Sequence, residues 1–131
     1  MLRGITTQLQ QIFYRMTKYF IENFNTANFL TEALYHSKAA SYFTNYRVQH
    51  FIFVRTLIEQ AQREGDICSD MNSYEIYTTL QSILIQPIII KNNILQQHKN
   101  EPLMDKLKLI DVSSESSLQK RLRVAFKGLR P

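Results

Sequence analysis

Apolar residues recur at intervals of three and four along most of the chain, which is the spacing of one face of a helix. The pattern predicts a first helix from Thr7 to about residues 23–25, with Gln10 as the capping-box partner of Thr7. Its apolar face is formed by Leu9, Ile12, Phe13, Met16 and Phe20. A shorter second helix is predicted after a cap at Thr26, and its apolar face is formed by Phe29, Leu30, Ala33 and Leu34.

A long third helix is predicted over residues 39–63, ended by Gly65 in the left-handed conformation. Its apolar stripe comprises Phe43, Tyr46, His50, Phe53, Val54, Leu57 and Ala61, and it is widened by Phe51 and Ile58. A helix that is apolar over much of its circumference is surrounded by neighbours. Residues 66–71 are then a connection to the next helix.

The remaining helices are predicted from their caps and breakers. Asn72 and Glu75 have capping-box spacing and open a fourth helix, which Pro87 should kink or interrupt. Pro102 suits the start of a short helical turn. A last helix is capped by Ser116 with Gln119, and its narrow apolar seam is formed by Leu118, Leu122, Ala125, Phe126 and Leu129. We therefore predict an all-α bundle of about five main helices.

Composition agrees with one helical domain over residues 1–131. The chain has three glycines and three prolines, too few for the frequent turns of a sandwich or barrel, and 44% of its residues are hydrophobic, enough for a core. The longest apolar run, residues 83–90, is far shorter than a membrane span, and the N-terminus has no signal-peptide pattern. A single cysteine suits a reducing compartment. We expect a cytoplasmic protein without membrane contact.

The net charge of +5 comes entirely from the C-terminal part of the chain. Residues 1–90 hold seven basic and seven acidic residues, whereas residues 91–131 hold nine basic and four acidic ones. A basic end can contact phosphate. Basic residues near a helix C-terminus also complement the helix dipole. Because no aromatic or glycine-rich reading surface accompanies the charge, we favour the second interpretation.

The residues that carry catalytic chemistry are scattered. His36, His50 and His98 are too far apart in sequence for the i, i+4 spacing of a helical metal site. Cys68 has no second cysteine, and the sequence contains no phosphate-binding loop, dinucleotide fingerprint or nucleophile elbow. We expect no enzymatic activity, no metal and no cofactor.

Two features suggest a binding function. Fourteen of the fifteen aromatic residues lie between Phe13 and Tyr77. A pocket for a mostly apolar small molecule needs an apolar wall with a few polar groups, which here would be Tyr42, Tyr46, His50, Tyr77 and Gln81. The alternative is that these are core residues with satisfied polar tips. Second, the fourth and last helices carry more apolar surface than so small a domain is expected to cover, which predicts a homodimer. The alternative is that these faces pack against each other within one larger bundle of the same chain.

Three segments resemble the C-terminal domain of TetR-type transcriptional regulators: residues 55–67 (RTLIEQAQREGDI), residues 73–80 (SYEIYTTL) and residues 122–131 (LRVAFKGLRP). The order and lengths of the predicted helices resemble that domain over nearly the whole chain. The resemblance implies an all-helical domain that encloses an effector pocket and dimerises through its last two long helices. It adds the pocket-wall residues Phe13, Met16, Phe20 and Phe53 to the polar groups above. The implied dimer interface is formed by Ile83, Leu84, Ile88, Leu118, Leu122 and Phe126.

The family's N-terminal helix-turn-helix has no match here, because nothing before Thr6 is long enough to form it. We therefore expect the sensing half of a regulator, whose effector is a small, mostly apolar molecule and whose DNA contact depends on a head that this sequence does not contain. The alternative is a stand-alone helical module for effector binding or protein interaction, without DNA binding.

Overall fold

The computed structural model describes the backbone of residues 4–22, 37–98 and 101–131, together with their side chains except those of residues 37–47 and 96. Within these ranges the chain forms six helices and no strand, which confirms the all-α class. The helices are α1 (Gly4–Glu22), α2 (Ser37–Arg63), α3 (Ser73–Leu84), α4 (Gln86–Gln97), α5 (Leu103–Lys108) and α6 (Glu115–Gly128). None of the described helices is long and apolar enough to cross a membrane. The predicted second helix falls in residues 23–36, outside the described part.

Helix α1 starts at Gly4, three residues before the predicted cap at Thr7. The extra turn brings Ile5 onto the same face as Leu9 and Phe13, where it packs against the core. Leu9 and Phe13 are fully buried. Burial of Ile5 on this face outweighs the local capping preference of Thr7, so the helix extends towards the N-terminus.

Helix α2 begins two residues before the predicted start and ends at Arg63, as predicted. Gly65 follows with φ of 80°, the left-handed conformation that favours glycine. The connection after it is held by Gln62, whose Nε2 donates to the backbone oxygens of Cys68 (3.0 Å) and Met71 (2.7 Å). This loop therefore has a fixed shape, and it positions the start of α3.

The predicted capping box at the start of α3 is confirmed: Asn72 Oδ1 accepts from the backbone N–H of Glu75 (2.8 Å), and Glu75 Oε1 accepts from that of Asn72 (3.0 Å). The predicted break at Pro87 is also confirmed, because the helix divides at Ile85 into α3 and α4. Proline has no N–H to continue the helical ladder. After the proline, the N–H of Ile88 donates to the carbonyl of Ile85 (3.0 Å) and not to that of Leu84, and the carbonyl of Leu84 accepts from the Arg121 guanidinium of α6 (2.9 Å).

Helix α6 is capped by Ser114, not by Ser116 as predicted. The Ser114 side chain accepts from the backbone N–H of Ser117 (3.2 Å), and Asp111 Oδ1 accepts from the backbone N–H of Ser114 (2.9 Å). The serine-rich stretch offers several local candidates for a cap. Ser114 is the cap because Asp111, in the preceding loop, also hydrogen-bonds with it.

The core lies where α1, α2, α3 and α6 meet. Its fully buried members are Leu9, Phe13, Val54, Ile58, Ala61, Ile76, Leu80, Leu84 and Leu118. Helix α4 continues from α3 and packs with α5. The bundle is therefore one hydrophobic unit, to which residues 86–110 are attached through α3.

This packing corrects the predicted dimer interface. Five of its six residues, namely Leu84, Ile88, Leu118, Leu122 and Phe126, are buried within the single chain, and only Ile83 is partly exposed. Leu84 and Leu118 have no exposed surface with which to meet a second copy, so the predicted interface role is wrong for them. The apolar faces of α3 and α6 cover each other, because α6 lies directly against α3.

Candidate functional site

The strongest candidate site is a hydrogen-bonded network between α2 and α3. The phenol oxygen of Tyr77 lies 2.5 Å from Nδ1 of His50 and accepts from Nε2 of Gln81 at 3.1 Å. Tyr77 and Gln81 are one turn apart on α3, and His50 faces them from α2. Tyr77 is buried, whereas His50 and Gln81 are partly exposed, so the network opens towards the surface at its two ends.

Aromatic rings surround this network. The ring of Tyr77 makes edge contacts with those of Phe13 on α1 (6.0 Å between centroids) and Phe51 on α2 (5.3 Å). The His50 ring lies 5.5 Å from that of Tyr77. Three helices thus place a few polar groups among aromatic surfaces, which is the composition expected of a site for a mostly apolar molecule.

The site contains one ionisable side chain whose charge changes near neutral pH, that of His50. Burial lowers the pKa of His50 below its ordinary value of 6.5. The imidazole is therefore neutral at pH 7, with one nitrogen protonated and the other free to accept. The network residues Phe13, His50, Phe51, Tyr77 and Gln81 then carry no formal charge.

The structure brings together four of the predicted ligand-binding residues: Phe13, His50, Tyr77 and Gln81. Met16 lies one turn from Phe13 on α1 and packs against the core, and Phe20 follows on the same face with partial exposure. The side chains of Tyr42 and Tyr46 lie outside the described part.

The predicted wall residue Phe53 lies apart from the network, and its side chain is 63% exposed. The buried face of α2 is centred on Val54, Ile58 and Ala61. Phe53 directly precedes Val54 and so points about 100° away from this face. The sequence pattern merged two neighbouring stripes of the helix into one.

Phe51 was missed as a site residue, although its ring approaches those of both Tyr77 and Tyr74. The sequence analysis used it only to widen the apolar stripe of α2. The sequence contained one signal for Phe51, which is its position next to His50. Side chains of adjacent residues in a helix point about 100° apart, so these two can contact the same side chain of a facing helix from two sides.

A concave region lies away from this network, between the end of α2 and the start of α3. This groove of about 660 Å³ is lined by Glu59, Gln62, Arg63, Met71, Asn72 and Glu75, among others, and by none of the predicted ligand-binding residues. Several of its polar groups are already engaged: Glu59 accepts from Arg55 and Ser73, and Asn72 forms the cap of α3. The groove thus follows from the cap and the loop, and we do not assign it a ligand.

Other chemistry is sparse in the described part of the chain. Burial is the largest cause of the raised pKa of the Cys68 thiol, which favours an unreactive residue. No group of three or more His, Cys, Asp or Glu side chains that could hold a metal ion occurs among the described residues.

Comparison of the sequence with models of protein families and with curated proteins, and comparison with solved structures, gave no match. The assignment of a function therefore depends on the geometry of the chain itself.

Proposed function

We propose that this chain is the effector-binding part of a TetR-type transcriptional regulator, and that it senses a small, mostly apolar molecule at the His50–Tyr77–Gln81 network. The sequence resemblance motivates the regulator assignment, and the all-helical bundle is compatible with it. The observation that carries the binding proposal is the meeting of three polar side chains among aromatic rings of α1, α2 and α3.

The openness of the network favours binding over a purely structural role. Tyr77 alone would serve as a core residue with a satisfied hydroxyl. However, His50 and Gln81, which hydrogen-bond with its hydroxyl, both retain exposed surface. A molecule that reaches His50 or Gln81 from outside would cover aromatic surface and gain a polar contact in the same step.

The regulator proposal also includes a homodimer, but through a different surface from the predicted one. Large aliphatic side chains remain exposed on α4 and in and after α5: Ile90, Ile94, Leu103, Leu109 and Ile110. Lys91 Nζ donates to the backbone oxygen of Ile110 and so holds the end of this segment against α4. Exposed apolar surface of this kind is typical of interaction sites, and α4 and α5 pack together here.

Titration with the neutral apolar dye Nile red tests the binding function. We expect saturable binding with increased emission to the intact chain. Tyr77→Phe removes the hydroxyl that hydrogen-bonds with both His50 and Gln81, and it should weaken binding about fivefold to tenfold, equivalent to about 1 to 1.4 kcal/mol. Tyr74→Phe is the matched control, because Tyr74 lies on the same helix but is 61% exposed. Absence of saturable binding, or equal weakening by both variants, would contradict the proposal.

A further inference from the structure

A basic stripe runs along the outer side of α6 and just beyond its end. It is formed by four exposed side chains: Lys120, Arg123, Lys127 and Arg130. Successive residues of a helix point about 100° apart, so the first three of these side chains lie within an arc of about 60°. The buried residues Leu118, Leu122 and Ala125 lie on the opposite side of the helix, against the core. The stripe therefore faces solvent.

Stabilisation of the helix does not account for this stripe. Basic side chains complement the helix dipole only in the last turn, which includes Lys127 but neither Lys120 nor Arg123. Like charges three and four residues apart destabilise a helix, and residues 116–131 contain no acidic residue that could offset this repulsion. The acidic residue of α6, Glu115, lies at the other end of the helix. The dipole interpretation that the sequence favours thus explains only the end of the stripe.

The charges of the stripe are not neutralised within the described part of the chain. The ion pairs found there join other residues, and none of them includes a side chain of the stripe. Glu115 contacts Tyr14 and Lys18 of α1, which lie on the far side of the N-terminal turn of α6 from the stripe's end at Arg130. Four positive charges on one exposed face are therefore available to an anionic partner.

The surroundings of the stripe favour a phosphodiester backbone over a membrane or a protein surface. A helix that inserts into a membrane surface needs its apolar side free, but that side of α6 is buried against α3. In α6, all of which is described, Val124 is the one large hydrophobic residue that is exposed. A protein interface usually has an apolar or aromatic centre, which this face lacks. Phosphate contacts need only positive charges within reach.

We propose that the basic stripe of α6 binds the phosphodiester backbone of duplex DNA, independently of its sequence. Single-stranded nucleic acid is a poorer fit, because its binding also uses exposed aromatic rings for stacking. Attraction between basic side chains and phosphates carries no information about the bases, so the contact holds the chain on DNA without selecting a site. It does not rest on the proposed effector site, which joins α2 and α3.

Fluorescence anisotropy of a labelled duplex of about 20 base pairs, titrated with the intact chain at about 50 to 200 mM NaCl, tests this proposal. We expect saturable binding with equal affinity for two duplexes of unrelated sequence. Each neutralised phosphate contributes about −0.9 to the slope of log K against log[NaCl], so four contacts predict about −3.6 for each bound chain. The double variant Lys120→Gln and Arg123→Gln should lose about half of this slope. Its circular dichroism should be unchanged, because both side chains are exposed.

The matched control is the double variant Arg55→Gln and Arg63→Gln, which removes two exposed positive charges from another helix, α2. We expect its slope to stay close to that of the unsubstituted chain. Equal loss of slope in both double variants would show an effect of net charge alone and would overturn the proposal. Failure to bind either duplex at the lowest salt concentration, or a preference between the two sequences, would overturn it as well. Binding to phosphatidylserine vesicles in place of the duplexes would assign the stripe to a membrane surface and contradict it.

Discussion

The substitution Leu84→Ala distinguishes a core residue from a dimer contact. Leu84 is fully buried at the end of α3, within the hydrophobic core to which α6 also contributes. Removal of a fully buried leucine side chain costs the transfer free energy of the lost carbons and that of the remaining cavity, together about 3 to 4 kcal/mol. For a domain of this size, that is a large part of a total stability of roughly 5 to 15 kcal/mol.

Urea unfolding followed by far-ultraviolet circular dichroism measures this loss. The midpoint for Leu84→Ala should fall strongly, and the free-energy difference from the unsubstituted chain should stay the same over a roughly hundredfold range of protein concentration. Ile52→Ala is the control, because Ile52 is 51% exposed on α2 and lies outside the proposed dimer surface, and its loss should stay below about 1 kcal/mol. A loss below about 1 kcal/mol for Leu84→Ala, or a loss that grows on dilution, would refute the assignment of Leu84 to the core of one chain.

Three further predictions concern other parts of the molecule. If the aliphatic surface of α4 forms the dimer, Ile94→Glu should convert it to monomers in analytical ultracentrifugation, and an unchanged sedimentation coefficient would place the contact elsewhere. Because burial lowers the pKa of His50, the unfolded chain takes up a proton more readily than the folded one, so the unfolding free energy should fall as the pH drops below 6.5. His50→Gln should reduce this slope in chemical-denaturation series, and a slope equal to that of the unsubstituted chain would contradict this explanation. Arg121→Met removes the donor to the end of α3 and should cost about 1 to 2 kcal/mol in thermal unfolding, whereas a comparable loss for the exposed Arg123→Met would contradict that explanation.

Features set by local chemistry were predictable from the sequence. The capping box of Asn72 and Glu75, the left-handed Gly65 and the break at Pro87 each depend on a few adjacent residues, and the structure has all three. The position of the cap of α6 was not predictable, because Ser114 is selected over Ser116 by a contact with Asp111. A local sequence pattern thus determines the end of a helix only where no neighbouring residue can form an alternative cap.

The faces of the helices were predicted less well than their extents. The sequence analysis treated the apolar surface of α3 and α6 as excess, but these two helices cover each other through side chains such as Leu84 and Leu118. The exposed aliphatic residues lie instead on α4 and around α5. Helical periodicity gives the apolar side of each helix, but which helix covers it depends on the tertiary arrangement.

The candidate site was partly predictable for the same reason. Gln81 and Tyr77 share a helix face through their spacing of four, and that relation is visible in the sequence. The hydrogen bond of Tyr77 with His50, which lies 27 residues away, requires the packing of α2 on α3. Residue type suggested His50 as a polar group of the site, but only the fold shows which partner it meets.

Native mass spectrometry of the intact chain, purified under mild conditions from cells, tests the binding of a small apolar molecule at the Tyr77 network most directly. We expect the unsubstituted chain and Tyr74→Phe to retain a small neutral molecule and Tyr77→Phe to retain much less of it. If all three proteins give only the mass of the bare polypeptide, or if Tyr77→Phe retains the same amount, this network is not an effector site.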